Sequence, residues 1–167
     1  MKLPRPFSSA QAATALPNSV FVYGSLLSPQ VVEVLLGRIP KSIPAPCRLY
    51  GYSRHPVKDQ VYPAIIPASS TSTSLVDGMI WCDLSDREKS LLDWFEDDEY
   101  QRTSVVVETS KELHYYTTDA YIWGNPLSEL DLERDWSFEN FCQQHLEWYL
   151  AHTVRPCREE WDRDQDL

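Results

Sequence analysis

The sequence predicts an α+β fold, a twisted or barrel-like, antiparallel-rich sheet with helices outside. Three observations lead there: six short β-branched and aromatic runs, one helix early in the chain, and no regular strand-helix alternation. The chain has 167 residues. That length buries one hydrophobic core and is short for two, so one compact domain is expected over residues 19–154, between a flexible N-terminal tail, 1–18, and a charged C-terminal tail, 155–167.

Met1 to Asn18 is rich in Ala, Ser and Pro and has no acid. This composition fits a flexible tail better than an organelle-targeting peptide, because Pro4, Pro6 and Pro17 interrupt any amphipathic helix. Val20-Phe21-Val22-Tyr23 then reads as a buried strand that Gly24 and Ser25 end. Ser28 caps a helix with Pro29 at its first position, Val31, Val32, Leu35 and Leu36 on one face, and Gly37 as its stop. Strand-like runs follow at Cys47–Tyr52, Val61–Ile66 and Leu75–Leu84, with a polar loop from Ser69 to Ser74 before the last. Ser85 and Glu88 form a capping box, and the spacing of Glu88, Leu91, Leu92 and Phe95 predicts a short helix. Two more strands, Thr103–Thr109 and Tyr115–Trp123, end at the turn Gly124-Asn125-Pro126. Ser137 opens a final helix whose apolar face runs through Phe138, Phe141, Cys142, His145, Leu146, Tyr149 and Leu150. From Arg155 onward charges alternate and only Trp161 is strongly apolar, so a frayed tail is expected.

Composition excludes several functions. With 25 acids against 15 Lys and Arg the net charge is −10, which opposes nucleic acid and anionic lipid. No apolar run approaches the roughly 18 residues of a membrane helix. Cys47, Cys82, Cys142 and Cys157 show no C-x-x-C pair, so reduced thiols, a cytoplasmic location and no metal site are expected, and the four histidines are equally scattered. Cys82 reads as inert core and His145 as a packed histidine.

Two segments could carry chemistry. At Tyr23-Gly24-Ser25-Leu26 a buried strand halts beside a helix start, and successive backbone N–H groups there could cradle a carboxylate; an ordinary strand-to-helix turn explains the same residues. Glu96-Asp97-Asp98-Glu99 places four acids at a helix C-terminus, where the macrodipole disfavours negative charge. Mutual repulsion and the apolar Phe95 would raise a carboxyl pKa toward the range a general acid/base needs, and the run would attract an ammonium group. Glu96 is the acid expected to point inward, with Asp97 to Glu99 facing water; a solvated acidic turn is the competing reading. Tyr62-Pro63, Tyr100 and Arg102 are candidate pocket residues or ordinary strand-edge features.

Taken in order, Val20-Phe21-Val22-Tyr23-Gly24-Ser25-Leu26-Leu27, Val61-Tyr62-Pro63-Ala64-Ile65, Gly78-Met79-Ile80-Trp81, Leu92-Asp93-Trp94-Phe95-Glu96 with Tyr100 and Arg102, Ala120-Tyr121-Ile122-Trp123 and Trp136-Ser137-Phe138-Glu139 resemble the γ-glutamylcyclotransferase-like superfamily, nearest its plant avirulence-induced (AIG2-like) branch. The resemblance covers roughly residues 19–152. It implies a small mixed β-barrel with flanking helices and a γ-glutamyl amine as small-molecule substrate, cleaved to 5-oxoproline and free amine without a cofactor. It also implies that Tyr23 to Leu26 hold the substrate carboxylate and that Glu96 is the general acid/base. Many active relatives have glycine after this glutamate, where the present chain has Asp97. A catalytically silent ligand-binding or signalling protein, and a cyclotransferase acting on γ-glutamyl-lysine isopeptides, are the alternatives.

Overall fold

The computed structural model describes residues 12–69, 73–110 and 113–166. Five strands close into a barrel in the order β1 (Thr14–Val22), β5 (Leu75–Trp81), β2 (Ser42–Tyr50), β6 (Tyr100–Thr109) and β7 (Tyr115–Trp123). All neighbours pair antiparallel except β1 and β7, which run parallel and make the barrel mixed. β3 (Tyr52–Pro56) and β4 (Pro63–Pro67) form a separate two-stranded ribbon. The helices are α1 (Pro29–Leu36), α2 (Asp86–Glu96), α3 (Phe138–Gln144), α4 (Leu146–Tyr149) and α5 (Arg155–Gln165).

The uninterrupted apolar run of β1 is explained by burial on both faces. Phe21 and Tyr23 point into the barrel with Leu49, Ile65, Ile80 and Val107, whereas Val20 and Val22 face the helices and meet Leu35, Trp81, Phe141 and Val154. β7 repeats the division, with Ala120 inside and Tyr121 outside. Local signals hold where expected: Ser28 accepts from the Val31 N–H, Gly37 closes α1 at φ 77°, and Ser85 and Glu88 complete the capping box of α2.

Both expected tails need correction. The strand begins at Thr14, inside the segment read as a tail, and Thr14 and Ala15 pair with Tyr116 and Thr117. Pro17 is tolerated because the register shifts between Ala15 and Val20, where a missing N–H breaks no ladder bond. Residues 1–11, where the targeting reading chiefly falls, lie outside the described residues, as do 70–72 of the polar loop and Leu167. The C-terminal segment is a helix, not a frayed tail. Trp161 is buried and meets Trp94 edge-on at 5.7 Å, and Arg158 binds Asp162 and the Leu35 carbonyl. Leu150, Val154, Cys157 and Trp161 carry the spacing that marks it.

The run Cys47–Tyr52 also divides, because Gly51 at φ 84° reverses the chain into β3. The final helix is interrupted at His145 (φ −130°) and continues through a π turn at Leu150–Val154 into α5.

Candidate active site

β1, the 3-10 turn Ser25–Leu27, the Tyr62-Pro63 loop, the end of α2, the start of β6 and the 149–157 helical segment surround a cavity of about 190 Å³. Tyr23, Gly24, Ser25, Leu26, Tyr62, Glu96 and Tyr100 all line it. Arg102 does not. It lies on β6 in an ion-pair network with Asp93 (3.0 Å) and Asp119 (3.3 Å), and Asp93 in turn accepts from the Tyr121 hydroxyl at 2.7 Å. Two carboxylates hold the guanidinium outside this cavity, so Arg102 braces its wall through Tyr121 and lines the adjoining depression instead.

The turn is fixed from three sides. Arg54 donates to the Tyr23 carbonyl at 3.0 Å, Trp81 donates its indole N–H to the Leu26 carbonyl at 2.8 Å, and the Tyr23 hydroxyl donates to the Tyr121 carbonyl at 2.6 Å. Within the turn, Leu27 N–H bonds Gly24 O at 3.0 Å and Ser28 N–H bonds Ser25 O at 3.1 Å. The N–H groups of Gly24, Ser25 and Leu26 therefore have no backbone acceptor among the described residues. A Cβ at Gly24 would lie 2.9 Å from the Pro63 ring, so only glycine lets the turn and the Tyr62-Pro63 loop approach this closely.

Glu96 ends α2 and faces the cavity. Burial, then the charges of Glu99 and Asp93, push its carboxyl up to about 8. The phenols of Tyr23, Tyr62, Tyr100, Tyr121 and Tyr149 are raised first by burial, and each also feels the Glu96 charge. Their hydroxyl partners lie elsewhere: Tyr62 donates to Glu99 at 3.3 Å, Tyr100 to the Pro63 carbonyl at 2.8 Å, and the Tyr149 hydroxyl pairs with Ser25 Oγ at 3.4 Å. Among the described residues the Glu96 carboxyl has no hydrogen-bond or ion-pair partner. A part-buried carboxyl that faces a cavity without a partner is suited to exchanging a proton with a ligand.

Asp97 and Asp98 are exposed, as expected, and Asp97 also borders the cavity, whereas Glu99 is half-buried and lines it. Among the described residues no Lys, Arg or His lines it, and its charged lining residues, Glu96, Asp97 and Glu99, are all acids. The chain reverses at Asp97, whose φ of 58° and ψ of −166° lie in a region that essentially only glycine occupies. Sequence reading also missed Tyr121, Tyr149, Thr153 and Cys157 as cavity residues. The strain at Asp97 makes a prediction. Asp97→Gly relieves roughly 1–3 kcal/mol of backbone strain, partly offset by the flexibility glycine adds to the unfolded chain. A thermal melt is expected to rise by about 2–4 °C, and a lower melt would show that the Asp97 side chain, through its 2.8 Å bond from the Asp98 N–H, outweighs the strain.

Among the described residues, no group of three or more His, Cys, Asp or Glu is placed to hold a metal ion, and no helix is long and apolar enough to cross a membrane.

The fold and cavity define a small mixed-barrel protein with an acid- and tyrosine-lined pocket. Residues 20–138 match the family profile "Gamma-glutamyl cyclotransferase, AIG2-like", and the chain belongs to that family. It is 40% identical over 143 residues to AIG2-like protein D of Arabidopsis thaliana, covering 85% of this chain and 90% of the relative, and 37% identical to AIG2-like protein C of the same plant, covering 81% and 76%. A solution structure of an Arabidopsis thaliana protein superposes with a TM-score of 0.60 at 28% identity, over 80% of this chain and 86% of the other. A structure titled "Gamma-glutamyl cyclotransferase" superposes at 0.51 with 18% identity, over 64% and 66%, and shares the fold.

Proposed function

We propose that the protein is a cytoplasmic, cofactor-free γ-glutamylcyclotransferase that cleaves γ-glutamyl amines by intramolecular acyl transfer, with Glu96 as general acid/base. The observation that carries this reading is the unpaired Glu96 carboxyl, raised to about 8, in one cavity with the unengaged N–H groups of Gly24, Ser25 and Leu26. The family match supports the same chemistry, and four free thiols suit a reducing compartment.

The substrate carboxylate binds at the Tyr23 to Leu26 turn, and its α-ammonium lies against Glu96, where the acidic lining stabilises it. Glu96 removes one proton from the ammonium, and the freed amine attacks the γ-carbonyl carbon, an attack favoured because nucleophile and electrophile belong to one molecule. As the C–N bond to the leaving amine breaks, protonated Glu96 delivers that proton to the departing nitrogen. The second proton of the attacking nitrogen follows by the same carboxylate. The products are 5-oxoproline and the ammonium form of the amine, and no water is consumed. Tyr62 and Tyr100 wall the site, with their hydroxyl protons committed to Glu99 and the Pro63 carbonyl.

The test is release of 5-oxoproline from γ-glutamyl amides. Because the free enzyme must present Glu96 as a carboxylate, kcat/KM is expected to climb about tenfold per pH unit at pH values well below the raised pKa of about 8 and to level above it. The limb of kcat should lie at lower pH, since a bound ammonium favours the charged carboxylate. A flat profile across this range would sink the assignment of Glu96. Binding of γ-glutamyl amides without any turnover would favour the silent-binder alternative.

A further inference from the structure

A substrate carboxylate seated at the Tyr23 to Leu26 turn enters a cavity whose charged lining residues are acids. Free N–H groups offer it hydrogen bonds, but the repulsion of Glu96, Asp97 and Glu99 has to be met by positive charge. That charge stands behind the turn. Arg54, on β3, lines no part of the cavity, yet its Nη1 donates to the Tyr23 carbonyl at 3.0 Å.

The Tyr23 carbonyl and the Gly24 N–H belong to one peptide group. In a planar trans peptide the two point in opposite directions, so a carbonyl held toward Arg54 turns the Gly24 N–H the other way, toward the cavity that Gly24 lines. A cation on the carbonyl also polarises the amide and strengthens its N–H as a donor. The charge reaches into the site: burial and then Glu96 raise the Tyr23 phenol, and Arg54 acts in the opposite direction. The guanidinium itself is held firmly. Its side chain is 17% exposed, lies 5.6 Å over the buried Trp136 ring and reaches Asp135 at 3.1 Å. Asp135 is 71% exposed, so water screens its charge more than that of Arg54, and the pair leaves a positive field at the back of the turn. Trp136 in turn donates its indole N–H to the Val61 carbonyl at 2.8 Å, so the residues that seat Arg54 also anchor the Tyr62-Pro63 loop.

We propose that Arg54 is a positioning residue that makes the site selective for an α-carboxylate, acting through the Tyr23–Gly24 peptide without touching the substrate. The assignment rests on the cyclotransferase reading for the seat of that carboxylate at the turn. The path from guanidinium through the peptide to a carboxylate bonded at Gly24 is about 8 Å, close enough in a part-buried setting for an effect on affinity of roughly tenfold.

The test compares γ-glutamyl butylamide with its α-carboxamide analogue, which lacks only the negative charge. Turnover is followed by butylamine release and binding by calorimetry. Arg54→Met is expected to raise KM and Kd for the carboxylate substrate about tenfold, with kcat within about threefold and the carboxamide little affected, so the wild-type preference collapses. Arg54→Lys should recover part of it. The limb of the kcat/KM profile that reports Glu96 should stay in place, because burial, Glu99 and Asp93 set that carboxyl. Asp135→Asn keeps an acceptor for Arg54 and for the Trp136 N–H but removes the opposing charge, so the carboxylate substrate should bind at least as tightly as in wild type. If Arg54→Met fails to fold, Arg54→Lys and Asp135→Asn carry the test. Equal losses on both ligands in an Arg54 variant, or weaker carboxylate binding in Asp135→Asn, would make Arg54 a structural brace and overturn the proposal. Arg54-dependent selectivity in binding without turnover sinks the cyclotransferase reading and keeps this one, and turnover without such selectivity does the reverse.

Discussion

Replacing Glu96 by glutamine is expected to lower kcat for 5-oxoproline release by about 10²–10⁴-fold, the usual contribution of a positioned proton-transfer group. Glutamine keeps the size of the side chain and cannot take a proton from an ammonium. Substrate binding should persist, weakened at the ammonium and retained at the Gly24 to Leu26 turn. Glu33→Gln, an exposed change on α1 outside the cavity, is the control and should cost little. A Glu96→Gln enzyme that keeps more than about a third of wild-type kcat would remove Glu96 from the mechanism.

The same substitution is expected to stabilise the fold, and the sign follows from linkage. In the native protein Glu96 holds its proton up to about 8, whereas the unfolded chain releases it near the ordinary 4.5. Between those values the unfolded state binds fewer protons, so wild-type stability falls as pH rises and stays lowered above the upper one. Glutamine carries no such penalty. The melting temperature of Glu96→Gln should exceed that of wild type above the raised pKa, by about 2–4 °C for each kcal/mol recovered, and the gap should close as the pH falls toward 4.5. Lost turnover together with gained stability distinguishes a strained functional carboxyl from a structural one.

Much of this site is legible in the linear chain because its principal parts are contiguous. A buried strand that halts at a glycine marks the Tyr23 to Leu26 turn, and four acids where a helix would favour cations mark Glu96. What escaped depends on long-range packing. Tyr121 and Tyr149 read as ordinary apolar positions on a strand and a helix, and only barrel closure and the docking of the last helical segment bring them to Glu96. Arg102, two residues after Tyr100 on β6, has the spacing to share its face, but Asp93 from α2 and Asp119 from β7 claim its guanidinium. Alternating charges concealed α5, since its stability rests on one buried tryptophan and a few charge contacts with α1 and within the helix. The sequence departure at Asp97 was visible; the positive φ that makes glycine the less strained choice was not.

A second glycine on which the site depends lies outside the cavity. Gly78 sits on β5 opposite Cys47 of β2, and a Cβ built there would come within 2.1 Å of the Val22 carbonyl oxygen and 2.7 Å of the Phe21 ring. Neither neighbour can move aside. Phe21 is fully buried in the barrel interior, and Val22 belongs to the β1–β5 ladder through its pairing with Met79. Gly78→Ala is therefore expected to cost about 3 kcal/mol or more, at the severe end for an added methyl group, and to lower the melting temperature by roughly 6–12 °C. Because Val22 leads directly into Tyr23, any relaxation is transmitted to the turn, and folded material should show weakened binding of γ-glutamyl amides as well. Gly37→Ala is the comparison: its φ of 77° also strains alanine, but nothing lies within 4 Å of the added Cβ, so only a backbone cost of about 1 kcal/mol should appear. Equal losses in the two variants would mean that conformational freedom, not the approach of β1 to β5, is what Gly78 supplies. A Gly78→Ala protein that melts within about 2 °C of wild type would show that the barrel accommodates the methyl group after all.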